Sequence, residues 1–232
     1  YASAHYKLES ADVIVSLDAD FLGQGPASLR LAREFAARRK PEEGARMNRL
    51  YVIETTASLT GARADHRLPL KPSEIPALAA QLAAGLGVGS AAAASGESAA
   101  FVTALVKDLQ AHRGRSVVIA GEGQPPAVHA LAHAINQALG NNGQTVAYTQ
   151  APEVAPIDQV AALRELVADM DGGKVDLLLI LGGNPVYTAP ADLNFAAALD
   201  KVQTRVRLGL YEDETSERCQ WQVPDLHFLE SW

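Results

Sequence analysis

The chain has 232 residues, 48% of them hydrophobic, 20% charged and 6% aromatic, with a net charge of −7. The composition is that of a globular protein, and the acidic balance without a long basic block excludes a typical nucleic-acid-binding protein. Cys219 is the single cysteine, so these residues hold neither an internal disulfide nor a cysteine-bound iron–sulfur cluster.

Apolar runs of strand length alternate with segments of helical spacing along the whole chain. In chain order, the predicted elements are strand 12–17, helix 28–39, strand 49–54, strand 67–70, helix 72–84, helix 99–112, strand 116–120, helix 127–139, strand 145–149, helix 159–170, strand 175–181, a helix after Pro190 and strand 205–211. This alternation predicts an α/β fold made of two Rossmann-like three-layer units with mostly parallel sheets.

One segment, 86–98, is of low complexity and rich in glycine and alanine, which is typical of a linker or inserted loop. We therefore predict a first, partial α/β unit over 1–85, a small-residue linker over 86–98 and a second α/β unit over 99–232.

The chain begins at Tyr1 without a methionine, and we interpret it as a piece of a longer protein. No apolar stretch reaches the roughly 18 residues of a membrane helix, so we predict no direct membrane span.

The longest apolar run, 175–181, is typical of a strand buried on both faces of a parallel sheet. Gly182, Gly183, Asn184 and Pro185 follow it and predict a sharp loop into a helix, because glycine and asparagine tolerate left-handed backbone. Ligands usually lie beyond the carboxyl ends of such strands. A well-formed turn without a ligand is the alternative interpretation of the same pattern.

Two sets of side chains could carry chemistry. His129 and His133 stand four apart on one predicted helix and so share a face, but no third metal ligand is marked, and we interpret them as packed or surface histidines. Asp18 and Asp20 form a carboxylate pair in the loop after the first strand and could act as an acid and a base. The acidic run 212–214 is interpreted as capping a short helix. No catalytic residue and no metal site is assigned.

The order of these motifs resembles the central α/β domains of the molybdopterin-dependent oxidoreductases, which bind a molybdopterin guanine dinucleotide. The resemblance covers nearly the whole chain. Its clearest elements are the Gly-x-Asn-Pro loop at 182–185, the Leu-x-Gly-Asn-x-Gly-like segment 139–143, the segment 64–74 and the Glu-Thr pair at 214–215. It implies that Gly182, Gly183, Asn184, Pro185, Gly121 and Glu122 bind the cofactor, if the ancestral dinucleotide site survives.

Departures from the family pattern fall in the first half of the chain. The family's first Gly-x-Asn-Pro loop corresponds to Asp18–Phe21, and its Asp-Pro-Arg corresponds to Glu54–Thr56. In the family these loops approach the phosphates and guanine of the cofactor. The first of these loops gains the carboxylates of Asp18 and Asp20, which repel a pyrophosphate. The second loop lacks the positively charged arginine of the family. We therefore predict that these residues carry no cofactor.

Residues 48–75 and 178–193 resemble one branch of the family, the molybdopterin-like part of the iron–sulfur subunit of alternative complex III, a quinol:electron-acceptor oxidoreductase. This resemblance implies a scaffold that contacts other subunits of a membrane-bound respiratory complex and an adjoining iron–sulfur domain, whose clusters lie elsewhere in the full chain. It also implies a location on the periplasmic side of a bacterial inner membrane. The alternatives are a domain that does bind molybdopterin guanine dinucleotide, and an unrelated nucleotide-binding α/β module.

Overall fold

A computed structural model describes residues 2–40, 47–90, 97–150 and 157–231. The chain divides into two compact units, Tyr1–Pro152 and Glu153–Trp232. Both have α/β architecture and their larger sheets are parallel, which confirms the predicted fold class. Of the helices in these described ranges, none has the length and apolar character needed to cross a membrane.

The first unit is a three-layer structure. Its elements are β1 (Ala2–Tyr6), β2 (Val13–Leu17), α1 (Ser28–Ala37), β3 (Arg49–Glu54), β4 (His66–Pro69), α2 (Ile75–Gly85), α3 (Glu97–Ala111), β5 (Ser116–Ala120), α4 (Pro126–Ala138) and β6 (Val146–Gln150). Four parallel strands form the central sheet in the order β4-β3-β2-β5. Helices α2, α3 and α4 cover one face, and α1 contributes Leu31 and Phe35 to the other. The strands are apolar on both sides because helices cover both sides.

The second unit contains a three-stranded parallel sheet in the order β7-β8-β9. Its elements are α5 (Gln159–Asp171), β7 (Leu177–Leu181), α6 (Pro185–Thr188), α7 (Phe195–Leu199), β8 (Thr204–Gly209) and β9 (Trp221–Pro224). Side chains from α5 and α7, among them Met170 and Leu199, form its core with Leu178 and Ile180 of β7.

The division of the chain differs from the one predicted at 86–98. Strand β5 pairs with β2 along its whole length, from Val13 opposite Ser116 to Leu17 opposite Ala120. The segments on both sides of 86–98 therefore share one sheet, and the boundary between compact units falls at 152/153. Residues 91–96 of the predicted linker lie outside the described residues.

Strand β7 also differs from its prediction. Leu178 and Ile180 face the core, but Leu177, Leu179 and Leu181 are exposed. The sequence of β7 is as apolar as that of a strand buried on both faces. Among the described residues, however, helices cover only one face of its sheet. The helix predicted after Pro190 begins only at Phe195, because Asn194 adopts a left-handed φ of 49°.

Candidate functional site

A concave surface of the first unit lies at the carboxyl ends of its central strands. The chain runs from β2 outward to β3 and β4, and then returns to place β5 on the other side of β2. The strand order therefore reverses between β2 and β5, which is where ligands bind in open α/β sheets. A cleft of about 740 Å³ opens there, lined by the loops that follow β2, β3 and β5 and by α4.

Asp18 connects the three loops of this cleft. It adopts a left-handed φ of 58°; its Oδ1 accepts the Thr55 N–H at 3.0 Å, and its Oδ2 accepts the Gln124 amide at 2.9 Å. Gly121 lies against the same residue, since a Cβ there would stand 2.0 Å from the Asp18 carbonyl oxygen. Glycine is therefore required at 121 by the close approach of two backbones, whether or not the loop contacts a ligand.

Asp20 also connects neighbouring loops through hydrogen bonds. Its Oδ1 accepts the Thr60 N–H at 2.9 Å and the Thr60 hydroxyl at 2.8 Å. Thr60 Oγ1 in turn accepts the Leu22 N–H at 3.0 Å. The two carboxylates that sequence reasoning considered as an acid and a base are thus both engaged in holding neighbouring loops together.

Glu54 is buried at the end of β3, where it forms an ion pair with Arg67 at 2.5 Å. Its Oε2 also accepts the Ser58 hydroxyl at 2.6 Å. A Cβ at Gly61 would stand 1.8 Å from Glu54 Oε1, so that glycine makes room for the carboxylate. Partners of this kind compensate for the burial of a charge.

The lining of the cleft is acidic. It includes the carboxylates of Asp18, Asp20 and Glu122, together with Glu54, whose charge Arg67 balances, and none of the described residues that line it is a lysine or an arginine. Glu122 is exposed at this surface. A cleft lined by one sign of charge concentrates the opposite charge and disfavours its own, so this site is unfavourable for a phosphate or pyrophosphate.

The two histidines of α4 also face this cleft. The Nδ1 atom of His133 lies 2.8 Å from the Tyr148 hydroxyl. Desolvation lowers the pKa of His133 below its ordinary value, and the nearby His129 acts in the same direction. Across the described ranges of the chain, no group of three possible metal ligands occurs.

The Gly-x-Asn-Pro loop lies in the second unit, between β7 and α6. Gly182 and Gly183 have φ values of 66° and 65°, which glycine adopts readily. The Asn184 amide donates to Glu214 Oε2 at 2.6 Å, and its Oδ1 accepts the Thr215 hydroxyl at 2.7 Å. The Asn184 side chain therefore binds two side chains of the loop after β8.

Thr215 completes this connection between the two loops. It is fully buried, and its Oγ1 accepts the Val186 N–H at 3.1 Å at the start of α6. Hydrogen bonding to Asn184 lowers the pKa of the exposed Glu214 carboxyl. The Gly-x-Asn-Pro and Glu-Thr motifs of the sequence are thus physically joined, an arrangement that their separation of 30 residues did not reveal.

Asp213 organises the turn beside them. Its Oδ1 accepts the Thr215 N–H at 3.2 Å and the Ser216 N–H at 2.9 Å, at the start of the short 3-10 helix Ser216–Arg218. This agrees with the predicted capping role of the acidic run. Arg207, whose side chain is buried, donates to Asp213 at 2.6 Å and is the main cause of the lowered pKa of that carboxyl.

The six residues predicted to bind a cofactor fall in different units. Gly121 and Glu122 belong to the cleft of the first unit, while Gly182, Gly183, Asn184 and Pro185 belong to the second. Their assignment to a dinucleotide stays a prediction. Sequence reasoning missed Thr60, Arg67 and Thr215 as partners of the loop carboxylates and amide. Arg67 lies within β4, while Thr60 and Thr215 lie in the loops after β3 and β8.

Comparison with known proteins gives a distant sequence relative and a fold neighbour. No protein-family model matches the chain. The menaquinone reductase molybdopterin-binding-like subunit of Nitratidesulfovibrio vulgaris (strain Hildenborough) is 24% identical over an alignment 259 positions long, which covers 94% of this chain and 37% of the relative. The chain therefore spans little more than a third of that relative's length. This match supports the predicted relationship to molybdopterin-like oxidoreductase subunits.

Among solved structures, the chain is similar to one from the formyltransferase/hydrolase complex of Methylorubrum extorquens, which was crystallised with methylofuran. The TM-score is 0.53 at 16% identity, with 96% of this chain and 65% of the other covered. At that identity the likeness shows a shared fold only.

Proposed function

We propose that this chain is part of a molybdopterin-like subunit of a membrane-associated respiratory oxidoreductase, and that it serves there as a scaffold without a cofactor of its own. The name of the sequence relative, a molybdopterin-binding-like subunit of a menaquinone reductase, supports the oxidoreductase context. The scaffold would contact other subunits of the complex and an adjoining iron–sulfur domain that carries the electrons. The resemblance of 48–75 and 178–193 favours alternative complex III, with quinol as the reductant and a periplasmic location.

The acidic cleft is the observation that carries this proposal. In the family that the sequence resembles, the loops at these positions approach the phosphates of the dinucleotide. Here Asp18 and Asp20 lie in those loops instead, and both accept hydrogen bonds from neighbouring loops. These hydrogen bonds hold the two carboxylates in the region where the phosphates would lie, and like charges repel.

The second loop supports the same conclusion by a different route. Its backbone keeps the family pattern, but the Asn184 side chain already has Glu214 and Thr215 as partners. A ligand that recruited this amide would first have to displace a charged hydrogen bond, which is among the stronger kinds. The loop therefore fits a structural role in turning the chain from β7 into α6.

Calorimetric titration of GDP and ATP into the 232-residue chain tests whether a nucleotide binds. We expect no saturable heat, because the first cleft repels phosphates and the Asn184 side-chain amide of the second loop already donates to Glu214. Saturable micromolar binding (roughly −8 kcal/mol) that Asn184→Ala abolishes would contradict the proposal. Gln203→Ala, which alters an exposed amide of the same unit, is the matched control and should leave any such binding intact.

Elemental analysis of the native subunit tests the cofactor directly. We expect no molybdenum, together with iron in proportion to the clusters of the adjoining domain. Near-stoichiometric molybdenum would contradict the scaffold role, whatever the outcome with free nucleotides.

A further inference from the structure

The sheet of the second unit has helices on one face only, within the part of the chain that the structure describes. Leu178 and Ile180 point to that face and belong to the same core as Met170 of α5 and Leu199 of α7. Parallel sheets occur almost only with both faces covered. The second face of this sheet therefore lacks the layer that its strand type requires.

The opposite face is apolar across all three strands. In-register partners on parallel strands point to the same side of the sheet, and the register of β7, β8 and β9 places two full rows there: Leu179, Val206 and Trp221, and then Leu181, Leu208 and Val223. Leu179 is 55% exposed, Leu181 67% and Trp221 66%. Neither row contains a charged residue, so the surface that covers it has to be apolar as well.

The dimensions of this face match a single helix. Three strands spaced about 4.8 Å apart give a width of about 10 Å, which equals the diameter of an α-helix with its side chains. Five residues of strand are about 16 Å long, and a helix of about 11 residues has that length.

We propose that this face is the docking site of one amphipathic α-helix of about three turns, contributed by a segment of the same subunit outside residues 1–232. Helices are the elements that cover parallel sheets, and the sequence relative is far longer than the part matched by this chain. A second copy of the chain fits less well, because these side chains expose on the order of 500 Å² against roughly 800 Å² per partner in a standard interface. The inference does not depend on whether a cofactor is bound.

Photo-cross-linking in the native subunit tests the proposal. p-Benzoylphenylalanine replaces Trp221 on the open face, and in a separate variant it replaces Arg164, which is exposed on α5. We expect the Trp221 variant to give an intramolecular cross-link that peptide mapping places in a helical segment outside 1–232. A cross-link to residues 1–152, to a second copy or to another subunit would overturn the proposal, and so would a yield no higher than that of the Arg164 variant.

A pair of substitutions gives an independent measurement. Leu179→Lys should leave the melting temperature of the 232-residue chain unchanged, because this side chain is exposed there, and should lower that of the native subunit, where the helix covers it. Leu178→Lys, one residue away on the covered face, should lower both. An equal effect of Leu179→Lys in the two proteins would overturn the proposal.

Discussion

Replacement of the Thr215 hydroxyl tests whether the two loops of the second unit stabilise each other. Thr215→Val keeps the shape of the side chain but removes the atom that donates to Asn184 Oδ1 and accepts the Val186 N–H. Asn184 is only partly buried, so water can replace the hydroxyl at its Oδ1. The cost is therefore that of one lost hydrogen bond and of the Val186 N–H, which is left without an acceptor. The expected loss of unfolding free energy is about 2 kcal/mol.

The matched control is Thr215→Ser, which keeps the hydroxyl and loses one buried methyl group. Its expected cost is only about 1 kcal/mol. Urea unfolding followed by tryptophan fluorescence gives both free energies, since Trp221 lies in the same unit. For a unit of this size the valine variant should also melt roughly 10 °C lower.

The reasoning would be refuted if Thr215→Val cost no more than Thr215→Ser. That result would mean that the side-chain connection between the loops contributes little, and that the geometry of the Gly-x-Asn-Pro turn is held by its backbone alone.

Three further predictions concern backbone conformation and protonation. Gly183→Val should cost about 1–3 kcal/mol of unfolding free energy, measured by thermal melting. The cost comes from the positive φ of 65° alone, because a Cβ at this position would meet no heavy atom of the described residues within 4 Å. Gly183→Asn should cost less, because asparagine tolerates left-handed backbone. Gly121→Ala should cost about 1–3 kcal/mol through its clash with the Asp18 carbonyl, and a melting temperature equal to wild type would contradict the close packing of these loops. The lowered pKa of His133 means that the unfolded chain takes up a proton first as pH falls below about 6.5. Stability should therefore be full above that pH and should decline below it, and His133→Gln should flatten this part of the pH profile of urea unfolding.

The strands of the first unit were predictable because their sequence pattern is local. β3 and β5 match the predicted strands 49–54 and 116–120 at both ends. Each is an apolar run bounded by turn-forming residues, and a strand that helices cover on both faces needs such a run whatever else the chain does. β1 and β9 were missed, because these edge strands are short, mostly exposed or half-exposed, and contain no continuous apolar run.

The sequence by itself determined the α/β class, the sharp turn at Gly182–Pro185 and the acidic character of the loop at Asp18–Phe21, since these follow from composition, glycine conformation and charge. Only the tertiary structure decided that β5 returns to pair with β2, that Asn184 binds Glu214 and Thr215, and that Leu179 lies on an open face. Each of these depends on contacts between residues far apart in the chain. The apolar sequence of β7 is the same whether or not a second layer covers the strand. It therefore indicates that burying these side chains is favourable, but it does not indicate which surface buries them.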